Sequence, residues 1–308
     1  MQQTIRIGTR ESELALCQAG LVKSQLEASH VQCILVPIKS EGDLDQNTPL
    51  YEMGVQGVFT RSLDIALLNN RIDIAVHSMK DVPVQLPAGI TQAAVLKRGS
   101  PFDLLVYKND QSFLYNPHAI AIIATSSIRR KAQWLNKFPH HKVCNLRGNV
   151  NTRLEKLNAS EWNGAIFAEA GLSRINKVPA NSMVIDWMLP APAQGAIVVV
   201  CRDTDHTTQE ACSKLNDVST ALCTKLERQF LRALLGGCST PISAYANVED
   251  ELIHFRGNIL SPDGTQKAVI EKKMHRSHSE SLGIEAAKEI LEAGGKTIME
   301  IISKSGIA

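Results

Sequence analysis

A strand–helix rhythm that runs through the first two thirds of the chain is the strongest constraint on its fold. Residues 4–9 and 31–38 alternate like strands. Between them, residues 13–28 carry apolar side chains at helical spacing, with Ser12 as the N-cap. Strands that alternate with helices favour an α/β fold with a mainly parallel sheet and helices on both faces. The rhythm restarts after Pro101, which predicts a second unit of the same kind.

The chain has 308 residues, which is enough for two or three domains, and the patterns favour three. The apolar run 196–201 follows a proline-rich break and is too isolated to form a domain, so we expect it to return to the first sheet. Two crossings between two α/β units make a hinged cleft, where loops at the sheet ends converge on a ligand. Beyond residue 218, a helix and three strands predict a smaller α+β domain with an antiparallel sheet. The predicted domains are 1–98 with 196–215, then 102–192, which would bind anions, then 218–308.

Composition excludes several classes of function. The longest apolar runs, 119–124 and 196–201, are far shorter than the roughly 20 residues of a membrane span. The N-terminal residues show no apolar core of a secretory signal, so we expect a cytoplasmic protein with no membrane partner. The net charge of +2, the 5% aromatic content and the absence of RNA- or DNA-binding motifs also argue against nucleic acid as a partner.

Cysteine and histidine spacing does not support a metal site. The seven cysteines are dispersed, odd in number and without a CxxC pair, which also argues against a disulfide framework. The nine histidines show no HExxH pattern. We therefore expect no metal.

An acid-free segment points to an anion site in the second unit. Residues 111–154 contain no Asp or Glu but several Lys and Arg. The hydroxyl side chains of 125–127 link a predicted strand to a helix, where free backbone N–H groups favour anions. Arg129 and Arg130 follow in the first helical turn, where positive charge opposes the helix dipole. This placement suggests that an external anion compensates the two charges.

A similar arrangement occurs at the end of the next predicted strand. Arg147, Gly148 and Asn149 follow residues 142–146, and Arg153 lies one turn later. The planar guanidinium fork suits carboxylate or phosphate. Solvated arginines at helix starts are the alternative interpretation, but their shared position at strand ends favours a binding site.

A second constellation ends a buried strand near residue 77. His77, Ser78, Lys80 and Asp81 fall within five residues at a sheet edge. A carboxylate in such a place can stabilise a cation or transfer a proton. The alternative is an exposed charge pair, and His77 by itself is best interpreted as a structural residue.

Cys238 follows two glycines on a loop that leaves a helix. Arg228 and Arg232 on that helix could favour its thiolate form. The alternative is an inert thiol, and the other cysteines are interpreted as small apolar core residues.

Six motifs occur in the order found in the porphobilinogen deaminases, also called hydroxymethylbilane synthases. They are residues 6–12, 77–83, 125–130, 146–150, 170–172 and 236–238. On these motifs, which span nearly the whole chain, the protein resembles that family. The resemblance implies two periplasmic-binding-protein-like (type II) α/β domains with a central cleft, plus a small α+β C-terminal domain with a three-stranded antiparallel sheet.

The resemblance also implies a transferase of tetrapyrrole (heme) biosynthesis. Nothing in the sequence resembles an obligate dimer seam, so we expect a monomer. Such an enzyme deaminates four porphobilinogen molecules and joins them head to tail on a dipyrromethane cofactor. Water then releases hydroxymethylbilane. The alternative function is a non-catalytic, two-lobed anion-binding protein resembling a receptor.

The motif matches imply a role for each site residue. Cys238 would hold the dipyrromethane through a thioether, and Asp81 would be catalytic, stabilising the cationic azafulvene left by deamination and relaying a proton to ammonia. The cofactor-binding residues would be Lys80, Asp81, Thr125, Ser126, Ser127, Arg129, Arg130, Arg147 and Gly148. The substrate-binding residues would be Arg10, Ser12, Arg147, Arg153, Arg174 and Gln194.

Three positions depart from the family pattern. Gln56 stands in a glycine loop where a lysine is common, which removes a cation from that segment. Glu13 and Glu169 place acids next to predicted anion-binding motifs. Because a carboxylate in the cleft would repel the substrate, we expect Glu169 to point elsewhere.

Overall fold

The computed structural model describes residues 4–40, 59–116, 118–234 and 240–305. Its helices are α1 Glu13–Ala28, α2 Arg61–Leu68, α3 Ile128–Lys137, α4 Val150–Ala159, α5 Glu169–Arg174, α6 His206–Ser213, α7 Val218–Ala233, α8 Leu282–Ile290 and α9 Lys296–Lys304. Its strands are β1 Ile5–Arg10, β2 Cys33–Ile38, β3 Ile74–Ser78, β4 Ile90–Val95, β5 Asp103–Tyr107, β6 Ile122–Ala124, β7 Lys142–Cys144, β8 Gly164–Ala168, β9 Ser182–Ile185, β10 Ile197–Arg202, β11 Ile242–Glu249, β12 Leu252–Leu260 and β13 Lys267–His275.

The first lobe is built on a five-stranded sheet in the order β2-β1-β3-β10-β4. Strands β1, β2 and β3 run parallel, whereas β10 is antiparallel to both of its neighbours. The prediction of a mainly parallel sheet is therefore wrong for half of the strand pairs. The reason is the path of the chain: β10 enters at the edge where β3 ends, with Ile197 opposite Ser78.

The second lobe repeats this plan with the order β7-β6-β8-β5-β9. Here β5 is the strand that arrives from the other lobe, and Asp103 at its start lies opposite Ala168 at the end of β8. Both lobes thus place one strand from a crossing segment inside a sheet whose other central strands are parallel. This is the arrangement expected of two type II lobes.

The two crossing segments contact each other between the lobes. The Gly99 N–H donates to the Gly195 carbonyl at 3.1 Å. Gly195 has a φ of +86°, and a Cβ there would lie 2.5 Å from the Ser100 carbonyl oxygen. Only glycine combines that conformation with so close an approach of two chains.

The third domain is a three-stranded antiparallel sheet, β11-β12-β13, covered by α7, α8 and α9. Its core centres on an edge-on contact between Phe230 of α7 and Phe255 of β12, with ring centroids 5.4 Å apart. The predicted architecture of two α/β domains and a small α+β domain is confirmed, while the exact domain boundaries remain a prediction. None of the helices in the described ranges is long and apolar enough to cross a bilayer.

Two buried polar side chains connect the third domain to the rest. Glu227 of α7 forms a bidentate ion pair with Arg98 and also accepts from the Ala193 N–H. Gln133 of α3 donates to Ser243 and accepts from Asn258, both in the sheet of the third domain. The domain is therefore docked on both the crossing segment and the second lobe.

Candidate active site

The carboxyl end of β3 presents a short turn at the mouth of the first sheet. A 3-10 turn, Met79–Asp81, follows the strand directly. Met79 is buried, while Lys80 and Asp81 are half-buried. The strand end is anchored by a hydrogen bond between Gln18 of α1 and Ser78 at 2.9 Å.

Lys80 extends from this turn toward the crossing segments. Its Nζ donates to Oε1 of Gln194 at 3.2 Å. Burial lowers the pKa of Lys80 to about 8, an effect that Asp81 partly offsets and that Arg130 reinforces. The amine therefore lies in an environment that favours an additional negative charge.

A buried carboxylate, Asp103, organises the two arginines of α3. Its Oδ2 accepts from Arg129 Nη2 at 2.8 Å, and its Oδ1 accepts from Nε and Nη2 of Arg130 at 3.1 and 2.8 Å. Burial alone would raise the pKa of Asp103, but Arg129, Arg130 and Lys80 outweigh it and hold that pKa well below its usual range.

This arrangement corrects one expectation. The charges of Arg129 and Arg130 meet an internal acid, so an external anion is not required to explain their place in the first turn of α3. Asp103 was missed because a single acid before an apolar strand indicates nothing about its partners. No local signal singled it out, because Asp110 lies closer than Asp103 to the acid-free segment 111–154.

Arg153 of the second lobe interacts electrostatically with charged residues of both lobes. Burial, together with Arg130 and Arg147, lowers its pKa to about 10, while Asp81 acts in the opposite direction. Arg10 of the first lobe adds to the lowering. Among the described residues, the buried Nε of Arg153 has no hydrogen-bond partner. Charged side chains of both lobes therefore surround Arg153, and the arginines among them outnumber the carboxylates.

The predicted hydroxyl groups line the loop before α3. Thr125 accepts from the Ser127 N–H, Ser126 accepts from the Leu146 N–H, and Ser127 caps α3 by accepting from the Arg130 N–H. A hydroxyl that accepts a hydrogen bond can still donate its own proton. The loop is thus held rigid by groups that can also bind a carboxylate.

The loop after β7 provides the next set. Arg147 is 5% exposed, and its carbonyl accepts from Lys156. Gly148 has a φ of +110°, which lets the chain turn sharply before Asn149 caps α4.

Arg10 and Ser12 lie at the carboxyl end of β1. The Arg10 guanidinium packs 4.4 Å from the centroid of the Phe59 ring, and Ser12 caps α1 through the Ala15 N–H. His77, on the neighbouring strand, is buried, and burial together with Arg10 lowers its pKa to about 4. A neutral, buried imidazole agrees with its interpretation as a structural residue.

Arg174 and Gln194 are more enclosed than predicted for substrate contacts. Arg174 donates to the Gly195 carbonyl at 2.6 Å. Gln194 is fully buried, donates to the Pro101 carbonyl and Asp103, and accepts from Lys80. The structure thus commits the Gln194 amide to protein partners, where it holds Lys80 and Asp103 in place.

The acidic departures from the family pattern have local partners. Glu169 accepts a hydrogen bond from Ser100 at 2.5 Å. Glu13 accepts from Asn151 and pairs with Lys177, both in the second lobe. Gln56 and Cys238 lie outside the described residues.

Two family models match the chain. The one described as "Porphobilinogen deaminase, dipyromethane cofactor binding domain" covers residues 5–210, and the one described as "Porphobilinogen deaminase, C-terminal domain" covers 221–292. This chain belongs to the porphobilinogen deaminase family. It is accordingly a transferase, a hydroxymethylbilane synthase of tetrapyrrole biosynthesis, with a dipyrromethane cofactor.

Solved structures similar to this porphobilinogen deaminase family member include binding proteins. The probable amino-acid ABC transporter extracellular-binding protein ytmK from Bacillus subtilis is 13% identical, with a TM-score of 0.44 over 70% of this chain and 91% of that one. The periplasmic VFT2 domain of Bordetella pertussis BvgS is 9% identical, with a TM-score of 0.42 over 71% and 89%. An ancestral cationic amino acid solute binding protein is 13% identical, with a TM-score of 0.43 over 69% and 87%.

The residues present fit a dipyrromethane with acidic side chains. Arg153 and Arg129 each have a buried Nε without a hydrogen-bond partner among the described residues. Burying an N–H group without a hydrogen-bond acceptor costs free energy, unless a ligand supplies that acceptor. Carboxylate oxygens have the charge and geometry to do so.

Proposed function

We propose that Asp81 is the catalytic residue of this porphobilinogen deaminase. The observation that carries the proposal is the interaction of Asp81 with Lys80 in its own turn and with Arg153 in the opposite lobe. A carboxylate set among cations can stabilise positive charge that develops on the substrate as ammonia leaves. To assist the departure of ammonia, the Asp81 carboxyl would carry a proton, give it to the amine as the C–N bond breaks, and remain as the carboxylate that faces the cation.

The surrounding cations would bind the acetate and propionate groups of the pyrroles. In this proposal Lys80, Arg129, Arg130 and Arg147 hold cofactor carboxylates, with Gly148 and the hydroxyls of Thr125, Ser126 and Ser127 supporting them. Arg10, Ser12, Arg147, Arg153 and Arg174 hold the substrate. Gln194 would act through Lys80, because its amide is buried against that amine.

Cys238 would attach the dipyrromethane, which supplies the primer on which the product is assembled. The properties of four of the six other cysteines support this assignment. Burial raises the pKa of Cys33 and Cys201 to about 11, and that of Cys212 and Cys223 to about 12, so these thiols resist forming a thiolate. A thioether requires only one accessible thiol.

We propose porphobilinogen as the substrate, a monomer as the working state and the cytoplasm as the compartment. The family membership supports the substrate and the compartment.

An intact-mass measurement of the purified protein tests the cofactor assignment. The wild-type protein should exceed its sequence mass by two linked pyrroles, and Cys238→Ser should remove that excess. A Cys238→Ser protein that keeps the extra mass would reassign the attachment to another residue.

Turnover of Asp81→Asn tests the catalytic assignment. The variant should fold and carry the cofactor but lose on the order of 10² to 10³ in kcat, the scale of a lost acid–base or charge-stabilising group. A rate near that of the wild type would remove Asp81 from this role.

A further inference from the structure

Helix α7 of the third domain reaches across to the turn that carries Asp81. The Arg228 guanidinium donates to three backbone carbonyls of the first lobe, those of Met79 at 3.4 Å, Val82 at 2.9 Å and Pro83 at 2.6 Å. These carbonyls lie on both sides of Lys80 and Asp81. One side chain therefore fastens the two ends of the catalytic turn.

The turn itself is a short backbone segment. It begins where the Met79 N–H donates to the Ala196 carbonyl, and it closes where the Val82 N–H donates to the Met79 carbonyl. A single 3-10 turn has poorer hydrogen-bond geometry than an α-helix and little intrinsic stability. Pro83 has no N–H with which to extend a backbone ladder. The direction of the Asp81 side chain thus depends on contacts from outside the turn.

The chemistry of these contacts requires arginine. A guanidinium presents five donors in a planar fork and can serve several carbonyls at once, whereas an ammonium is a compact point charge. The three bonds add a second possible task to the one predicted for Arg228 from the sequence. They direct its guanidinium to the first lobe. A role in favouring the Cys238 thiolate stays a prediction, because Cys238 lies outside the described residues.

We propose that Arg228 is a positioning residue for the deaminase reaction. Its hydrogen bonds brace the 79–83 turn and so hold Asp81 near the charged side chains that surround Arg153. The inference rests on the catalytic role proposed for Asp81. It adds that α7, the helix that precedes the cofactor cysteine in the sequence, also sets the position of the catalytic carboxylate.

The test compares Arg228→Gln and Arg228→Lys with Lys225→Gln, which removes a positive charge from an exposed position on the same helix. Each holoenzyme is characterised by its thermal unfolding, its intact mass and its kcat and KM for porphobilinogen. We expect Arg228→Gln to keep the cofactor mass and to lose about 10-fold to 10²-fold in kcat, because small misplacements of a catalytic group cost that much. KM should change less than kcat. Arg228→Lys should be intermediate, and Lys225→Gln should match the wild type.

A double variant separates bracing of Asp81 from general stabilisation. If Arg228 acts through Asp81, adding Arg228→Gln to Asp81→Asn should cause little further loss in kcat. A further loss as large as that in the wild-type background would overturn the proposal. A wild-type kcat in Arg228→Lys would also overturn it, and if Arg228→Gln fails to fold, the lysine variant alone decides.

The outcomes also distinguish this inference from the proposed function. A near-normal rate in Asp81→Asn would refute the catalytic role of Asp81 itself. A strong loss in Asp81→Asn with a normal rate in Arg228→Gln would refute only the bracing. An Arg228→Gln protein without the cofactor mass would overturn the bracing in favour of a role in cofactor attachment.

Discussion

The Glu13 carboxylate of the first lobe lies 2.7 Å from the Lys177 ammonium of the second lobe. Asn151 completes a triangle, donating to Glu13 at 2.8 Å and accepting from Lys177 at 2.8 Å. The Lys177 and Asn151 bonds lower the pKa of Glu13, which therefore stays ionised. An acid that would oppose anionic ligands beside Ser12 is thus neutralised by a cation from the opposite lobe.

Lys177→Met should weaken substrate binding, because it leaves the Glu13 charge uncompensated near the proposed site. We expect KM for porphobilinogen to rise about twofold to fivefold at low ionic strength, the scale of one charge interaction in water. The effect should fade as salt is added, since exposed charges are screened. Steady-state kinetics over a salt series measures it.

The matched control is Lys177→Met combined with Glu13→Gln, which removes both charges. This double variant should regain a KM close to that of the wild type. If its KM stays as high as that of Lys177→Met alone, charge neutralisation is not what Lys177 contributes.

Asp103→Asn should destabilise the second lobe strongly. The substitution keeps the side-chain shape but leaves Arg129 and Arg130 buried without their counter-charge, which typically costs about 3 to 5 kcal/mol. Urea unfolding followed by circular dichroism measures the loss. Asp186→Asn, at an exposed position in the same lobe, should change the free energy of unfolding by about 0.5 kcal/mol or less. Equal effects of the two substitutions would show that the buried ion pairs do not stabilise the fold.

Lys80 should titrate at unusually low pH when no cofactor is attached. Burial lowers its folded-state pKa from 10.5 to about 8, so between these values the unfolded chain keeps a proton that the folded chain has lost. The destabilising cost of burying the cation is therefore fully present below pH 8 and is relieved as the pH rises toward 10.5.

Acylation of Lys80 in the Cys238→Ser protein, followed by peptide mass spectrometry, reports this titration. The rate should approach its plateau near pH 8 to 9, and the loaded wild-type enzyme should require a higher pH, because bound carboxylates favour the charged amine. Identical profiles for the two proteins would separate Lys80 from the cofactor carboxylates.

Gly195→Ala and Gly20→Ala should change stability in opposite directions. A Cβ at Gly195 would meet the Ser100 carbonyl and would require a φ of +86°, a combination that should cost at least about 1 to 3 kcal/mol. Gly20 lies within α1 and a Cβ there meets no atom within 4 Å, so alanine should stabilise by about 0.5 to 1 kcal/mol. Thermal unfolding of both variants measures the difference. A stabilised Gly195→Ala would mean that the crossing segments can separate without cost.

Local patterns in the sequence were enough to predict elements whose causes are local. Helix α1 has the predicted bounds, because Ser12 provides an N-cap and the apolar spacing runs unbroken to residue 28. Strand β4 was missed, since its neighbour β10 lies about a hundred residues further along the chain and supplies the pairing that defines it. Whether a strand is buried in a sheet depends on the neighbouring strands as well as on its own sequence.

The candidate site likewise contains residues that local sequence patterns identify and residues that they do not. The sequence motifs led to the predicted cations and to Asp81, which lie at strand ends or in the segments that follow them. Asp103 and the Glu13–Lys177 pair could not be predicted, since each depends on residues brought together across lobes or sheets. The commitment of Gln194 to Asp103 and Lys80 follows from the crossing of two chain segments, which leaves no local signature.

Strand β10 lies between β3 and β4, yet the chain reaches it only after all of the second lobe. Without β10, strand β4 has no neighbour through which to join its sheet. On the ribosome, the first lobe to emerge is therefore the one whose sheet must wait for a late strand, while the second lobe already holds every strand it needs. A nascent chain halted before residue 196 would carry a complete second lobe behind an unfinished first one.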